Sequence, residues 1–295
     1  YRHNTARDRP YRTAVVRLED VYREWSGGRM SPVAIRDFLR FALNRWGPGE
    51  TQGDLTHVLL FGDGHYDYRD IRNGVTSPYQ PNHVPPFNWV YSDLSYDPMS
   101  SDDFYAVLDS GARWDAFALN PAVGIGRVSV QSPAQARDYL DKIARYENPA
   151  SAGVWRSRIL AKADDATQRR AAGGIDPITE HTRQAEEVTN LALARKPGLR
   201  PEKLYQFDYP FNASFLKPEA TQDLLALYNR GVLFSTFFGH GAHNQLTDEV
   251  LLKTNDGLMR LRNAERNFFM TIFSCTVGRF DKLVDEGMGE QFLRQ

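Results

Sequence analysis

Cysteine is almost absent: the 295-residue chain holds one, Cys275. No internal disulfide can form, so the fold must be held by a packed core rather than by covalent staples. That favours a reducing compartment without excluding export, because a chain of this length buries enough surface to do without staples. An excess of charge of one sign is missing too. The net charge is −1, and the densest basic cluster, Arg169-Arg170, is too short to track a phosphate backbone, so nucleic acid is not an expected partner. The longest apolar runs, 231–238 and 268–274, are too short to cross a bilayer, which argues against a transmembrane segment. The opening "YRHNTARDRPYRTAVVRLED" has no basic stretch followed by an apolar one, so it is not a secretory leader. The chain starts without Met and ends on what reads as mid-helix; it is taken as an excised segment of a larger protein. Also missing are low-complexity tracts, repeats at periods of 20–50 residues, GxSxG and a phosphate-binding loop. "GIGRV" (124–128) falls short of GxGxxG and has no helix directly after it.

What remains is an ordinary globular composition, 41% hydrophobic and 25% charged, in which two kinds of segment alternate. Short apolar runs end on Gly, Asp or His: "THVLLFGDG" (56–64), "AVGIGRVSV" (122–130), "SRILAKADD" (157–165), "GVLFSTFFGHG" (231–241) and "FFMTIFSC" (268–275). Between them lie segments of helical period at 32–46, 132–148, 180–194 and 220–231. In 132–148, Ser132 and Pro133 make a helix start, and Ala136, Tyr139, Leu140, Ile143 and Tyr146 form one apolar stripe. Apolar runs without alternation predict strands buried on both faces. Strands alternating with helices predict an α/β fold with a mostly parallel sheet flanked by helices. Two α/β subdomains are expected, 1–150 and 151–295, with a boundary near 148–156 and a further small-residue loop at 171–177. Residues 64–121, dense in Pro, Asn, Ser, Asp and aromatics, read as a long ordered excursion over the strand ends.

Ligands of parallel sheets bind beyond the carboxyl ends of the strands. Asp63, Asp164, His240 and Cys275 all stand where predicted strands finish. His240 lies between two glycines, and Cys275 ends the last run. A thiol attacks as thiolate, and an imidazole beside it lowers its pKa and later protonates the leaving group. Gly239 and Gly241 let backbone approach a substrate, and the Gly241 and Cys275 amides could form an oxyanion hole. The residues after Cys275 read as a loop entering a helix whose positive end would face the thiolate. The alternative is plain: a lone Cys is often buried, and a His at a strand end is often a satisfied core residue. A metal reading uses Asp63, His65, Asp67, His240 and His243, but without a zinc spacing such as HExxH. Asp102-Asp103 could orient the histidine, line a pocket for a basic side chain, bind calcium through oxygen ligands, or only cap the next element. "ADD" (163–165) carries the same ambiguity, and His181, near a helix start, reads as local structure.

These motifs together resemble the gingipain-type cysteine peptidases (family C25), and within them most nearly the branch of type IX secretion system sortases. The pieces that carry the resemblance are "HVLLFGDGHYDYRD", "SDDFYAVLD", "AVGIGRVSVQSPAQARDYLDKIARYEN", "ILAKADDA", "GVLFSTFFGHGAHNQLTDE" and "FFMTIFSCTVGRFD", in family order over roughly 55–295. The resemblance implies a caspase-like α/β fold, Cys275 as nucleophile, His240 as general base and acid, and cleavage or transfer at a peptide bond. No cofactor is required by it, and structural calcium is compatible with it. In arginine-specific members an acid that supports the histidine precedes the "IGR" strand; Pro121-Ala122 stands there instead. That leaves a Cys/His dyad, or a substitute carboxylate such as Asp102 or Asp103, with Asp63 as a further pocket acid. The sortase branch further implies cargo with a C-terminal secretion signal as substrate, a lipopolysaccharide acceptor, other secretion-system components as partners, and a place at the bacterial outer membrane or cell surface. A plain secreted endopeptidase and a catalytically silent caspase-like scaffold remain as alternatives.

Overall fold

A computed structural model describes residues 12–47, 53, 55–71, 82–89, 99–109, 120–165, 180–283 and 286–294. The chain divides into two compact units, Tyr1–Ser129 and Val130–Gln295. The helix after Ser132 therefore groups with the second unit, some twenty residues before the boundary expected near 150.

The first unit opens with α1 (Leu18–Trp25) and α2 (Pro32–Arg45). Ser31 caps α2 by accepting from the Ala34 amide, with proline in the first turn. Strand β1 (His57–Phe61) pairs in parallel with β4 (Gly124–Val128). Between them in sequence lie the antiparallel pair β2 (Phe87–Trp89) and β3 (Met99–Ser101) and the short helix α3 (Asp103–Ala106). The excursion thus has its own ordered elements where it is described; 72–81, 90–98 and 110–119 lie outside the described residues, as does the 171–177 loop. β1 is not buried on both faces as its sequence suggested: Leu59 is 60% exposed.

The second unit is a four-stranded, all-parallel sheet. In chain order its elements are α4 (Pro133–Glu147), β5 (Arg158–Ala163), α5 (Glu180–Arg195), β6 (Arg200–Tyr205), α6 (Pro218–Arg230), β7 (Phe234–Phe238), a small three-stranded antiparallel sheet of β8 (Gly241–Ala242), β9 (Gln245–Leu246) and β10 (Leu252–Lys253), β11 (Phe269–Phe273) and α7 (Met288–Arg294). The large sheet runs in the order β11-β7-β5-β6. β5 and β7 are its central strands and are buried nearly throughout, as unbroken apolar runs should be. β11 is an edge strand, and Phe269 and Phe273 remain exposed. Alternate residues of β5 serve opposite faces. Leu160 packs with Leu224, Tyr228 and Phe237 in the larger core, on the α6 side. Ala161 and Ala163 pack with Ala185 of α5. Each large apolar side chain so buried contributes roughly 1.5–3 kcal/mol. α4 forms from its Ser132 cap, but none of its apolar stripe is fully buried: Leu140 is 56% exposed and Ala136, Tyr139, Ile143 and Tyr146 are half-buried.

Candidate active site

The strand order creates the site. The chain goes from β5 outward to β6, then returns to lay β7 and β11 on the other side of β5. Such a reversal opens a crevice at the carboxyl ends of the two strands that flank it. Here those are β5, which ends at Ala163 before Asp164, and β7, which ends at Phe238 before Gly239-His240. β11 lies on the far side of β7 and ends just before Ser274-Cys275. Three neighbouring strands therefore deliver an acid, an imidazole and a thiol, with the imidazole in the middle.

The registers are tight. Phe238 pairs with Ala163 on one side and with Phe273 on the other, all in parallel. The ladder continues one step past the strand ends: Asp164 N donates to the Phe238 carbonyl at 2.9 Å, and Gly239 N donates to the Phe273 carbonyl at 3.1 Å. His240 and Cys275 each follow their paired phenylalanines by two residues, at the ends of neighbouring strands. Cys275 is exposed, as a nucleophile requires. The helix expected behind it is a single 3-10 turn, Thr276–Gly278, and α7 starts only at Met288, so no long helix dipole points at the sulfur.

His240 is held twice by one carboxylate oxygen. Its backbone amide and its Nδ1 both lie 2.9 Å from Asp164 Oδ2. A carboxylate can only accept, so Nδ1 carries the proton and Nε2 is left with the lone pair. Asp164 is almost wholly buried while the His240 side chain is 56% exposed. Burial raises the Asp164 pKa above the usual carboxylate range, and the His240 hydrogen bonds pull it back. The other Asp164 oxygen accepts from the Asp165 amide.

The glycines beside His240 serve the protein's own packing. Gly239 has a φ of +157°, and a Cβ there would land on the Asp164 Cβ and 2.7 Å from Phe237 Cζ. A Cβ on Gly241 would lie 2.6 Å from Ser274 Oγ and 2.7 Å from Val277 Cγ2. One glycine brings the acid up to the histidine, and the other seats the Gly241 backbone against the Cys275 loop.

A buried polar layer backs the acid. Lys217 forms a fully buried ion pair with Asp165 and donates to the Gln206 carbonyl at 2.7 Å. Glu249 has a ligating oxygen within 4.8 Å of Asp164 and Asp165, and its Oε1 makes no hydrogen bond among the described residues. Its pKa rises to about 7, chiefly by burial and then by the neighbouring Asp164 and Asp165 charges, against the pull of Lys217. Deeper on β5, Lys162 Nζ is fully buried between the Tyr228 and Ser235 hydroxyls, both at 2.7 Å. Burial alone lowers its pKa to about 7.

The acids singled out in the sequence are engaged inside the first unit. Asp102 makes a bidentate pair with Arg127 at 2.7 Å on both arms. Asp103 opens α3, its amide donating to Ser101 Oγ. Asp63 is buried and caps the Gly64 amide at 2.8 Å. Ala122 donates its amide to the Ala106 carbonyl and supplies no acid. The carboxylate on His240 is Asp164, one of the strand-end acids, so the partner of the histidine is neither missing nor one of Asp63, Asp102 and Asp103. Among the described residues, potential metal ligands converge on Asp164 and not on the Asp63-His65-Asp67 stretch. His181, read as local structure, has its ring edge-on to that of His240 with centroids 5.2 Å apart. No sequence spacing could have joined residues 59 positions apart; only the packing of α5 on β5 and β7 does so.

A model of the family described as Peptidase family C25 matches residues 2–295. No curated protein matches the sequence. The solved Arg-specific cysteine proteinase gingipain R superposes with a TM-score of 0.63 at 19% identity, covering 92% of this chain and 50% of that one. The complex of Porphyromonas gingivalis RgpB pro- and mature domains gives 0.63 at 18% identity, covering 94% and 57%. Dimeric latent PorU from Porphyromonas gingivalis aligns at 32% identity over 48% of this chain and 13% of that one, with a TM-score of 0.40, too partial to bear on the fold. The chain spans about half the length of the gingipain chains it matches.

Proposed function

The chain belongs to peptidase family C25, and from that membership and the order Cys275, His240, Asp164 along three neighbouring strand ends we propose that it is a cysteine peptidase working through a Cys/His/Asp triad. The carrying observation is the doubly anchored His240, whose Nδ1 proton is spent on Asp164 so that Nε2 is left as a base. Nε2 takes the Cys275 proton, and the thiolate adds to the carbonyl carbon of the scissile peptide bond. The oxyanion that forms accepts from the Gly241 and Cys275 amides. The tetrahedral species collapses to a thioester, and the departing amine leaves with the proton held on His240. Attack on the thioester by water frees a carboxylic acid; attack by an amine gives a new amide. Asp164 keeps the imidazole in one tautomer and stabilises the imidazolium between these steps.

The finer reading is a sortase: the scissile bond precedes the C-terminal signal of type IX secretion cargo, and an amine on a surface lipopolysaccharide intercepts the thioester. It rests on the sequence likeness of "FGDGHYDYRD", "SDDFYAVLD" and the strand-end motifs to that branch, and it places the protein at the bacterial outer membrane with other secretion components. No described helix is long and apolar enough to cross a membrane. The plain endopeptidase uses the same residues and differs only in the acceptor.

Two measurements test these levels separately. An acyloxymethyl ketone at neutral pH should label Cys275 rapidly, and His240→Ala should abolish that rate; a thiol no more reactive than free cysteine would mean a silent scaffold. Incubation with tailed cargo and an amine acceptor should give an amide-linked adduct by mass spectrometry. Free carboxylate alone would leave an endopeptidase.

A further inference from the structure

The triad leaves His181 unused, although its ring packs edge-on against His240. His181 stands in the first turn of α5, and its Nδ1 is buried with no hydrogen-bond partner among the described residues. A buried polar atom left unpaired calls for a ligand such as water or an ion. One ligating atom each from Asp164, His181 and His240 lies within 4.8 Å of the other two. Two imidazoles and a carboxylate are a donor set suited to zinc, with bonds near 2.0–2.1 Å and one coordination position left open.

We propose that Asp164, His181 and His240 form a Zn²⁺ site that switches the triad off. Neighbouring ligands around a tetrahedral zinc with bonds of that length are about 3.3 Å apart. His240 Nδ1 and Asp164 Oδ2 already stand 2.9 Å apart. The ion takes the place of the proton between them, so a separation of a few tenths of an ångström admits it. His181 closes the third side. Binding releases the Nδ1 proton of His240, and the metal fixes the ring so that it can no longer carry the proton of Cys275. Oxygen-seeking ions such as Ca²⁺ and Mg²⁺ gain little from two imidazoles and do not compete.

The site stands on the geometry of the three side chains, and its switching role rests on the peptidase reading. The experiment therefore reads binding first. In the Cys275→Ser protein at pH 7.5, titration with Zn²⁺ against a chromophoric chelator should show one site. His181→Ala in the same background should weaken it at least about 10-fold, the low end of what loss of a supporting group costs a metal site. His181→Asn, which keeps volume and polarity at the helix start, should weaken it equally and guards against misfolding. Equal zinc affinity with and without His181 overturns the site. So does zinc binding that vanishes in Cys275→Ser, because the ion would then sit on the thiol. Where the unmutated protein proves active, His181→Asn should keep its peptidase rate in chelator and raise the zinc concentration for half-inhibition by the same factor. Unchanged zinc inhibition in that variant would overturn the switch while leaving the peptidase intact. An inactive protein that binds zinc through His181 would instead sink the peptidase reading and leave the site.

Discussion

Gly239 and Asp164 approach so closely that position 239 has no room for a side chain: a Cβ would land on the Asp164 Cβ and 2.7 Å from Phe237 Cζ. The backbone φ of +157° compounds this, since an L residue rarely adopts it. Gly239→Ala is expected to lose about 2–4 kcal/mol in urea denaturation, from overpacking and backbone strain together. If the peptidase reading holds, the residual folded protein should also be slow, because relief of the clash pushes Asp164 away from His240. A variant with unchanged midpoint and unchanged rate would refute the packing described for this corner.

Asp164 and Asp102 are both paired acids, and their losses should look different. Asp164→Asn keeps the size but has one accepting oxygen where two are in use, one by His240 and one by the Asp165 amide, so the His240 tautomer is no longer fixed. The expected loss in kcat is roughly 10²–10⁴-fold with modest change in stability, the range seen when a triad acid is neutralised. Asp102→Asn strands the Arg127 guanidinium, of which only 6% is exposed. Removing one partner of a buried pair costs about 3–5 kcal/mol. Denaturation and steady-state kinetics on both variants separate the roles: were Asp102→Asn to cut kcat in a fully folded protein, the assignment of Asp164 would be wrong.

How much of this was legible in the sequence follows from strand order. β5, β7 and β11 stand out in the chain because "RILAKA", "FSTFF" and "FMTIF" lack polar alternation and end on marked residues. β6 does not: "RPEKLY" is an edge strand that carries a proline and three charged residues, and only Leu204 and Tyr205 are buried. Missing β6 hides the reversal between β5 and β7, which selects the site. That is why Asp164 could be seen as a strand-end acid but not as the partner of His240. The likeness to gingipains drew attention instead to the "IGR" strand, whose preceding residue here is Ala122. The glycines around His240 were legible as necessary, while their reason, contact with Asp164 and Ser274, exists only in the folded state.

Lys162 should make the protein more stable as pH rises through the mildly alkaline range. Its folded pKa is about 7 against an ordinary 10.5. Between these values the unfolded chain binds a proton that the folded chain excludes, so stability rises with pH, by at most about 1.4 kcal/mol per unit. Lys162→Met removes the group and leaves Tyr228 and Ser235, 3.2 Å apart, free to bond one another. The difference between the two proteins, measured by urea denaturation from pH 7 to 9.5, should therefore favour the variant most at pH 7 and shrink upward. A constant difference over that range would show that Lys162 stays charged in the fold.

Glu249 predicts the opposite slope on the acid side. Its pKa rises to about 7 from 4.5, because burial and the charges of Asp164 and Asp165 outweigh Lys217. Between those values the folded protein holds a proton that the unfolded chain has lost. The stability this provides is complete below about pH 4.5 and is lost as pH rises through 7. Glu249→Gln keeps a neutral side chain at every pH. It should match the parent near pH 4.5 and exceed it by roughly 1–3 kcal/mol at pH 8, the size expected for a shift of this order. A variant whose stability tracks the parent in parallel from pH 4.5 to 8 would mean that Glu249 ionises normally and that Asp164 has no protonated neighbour behind it.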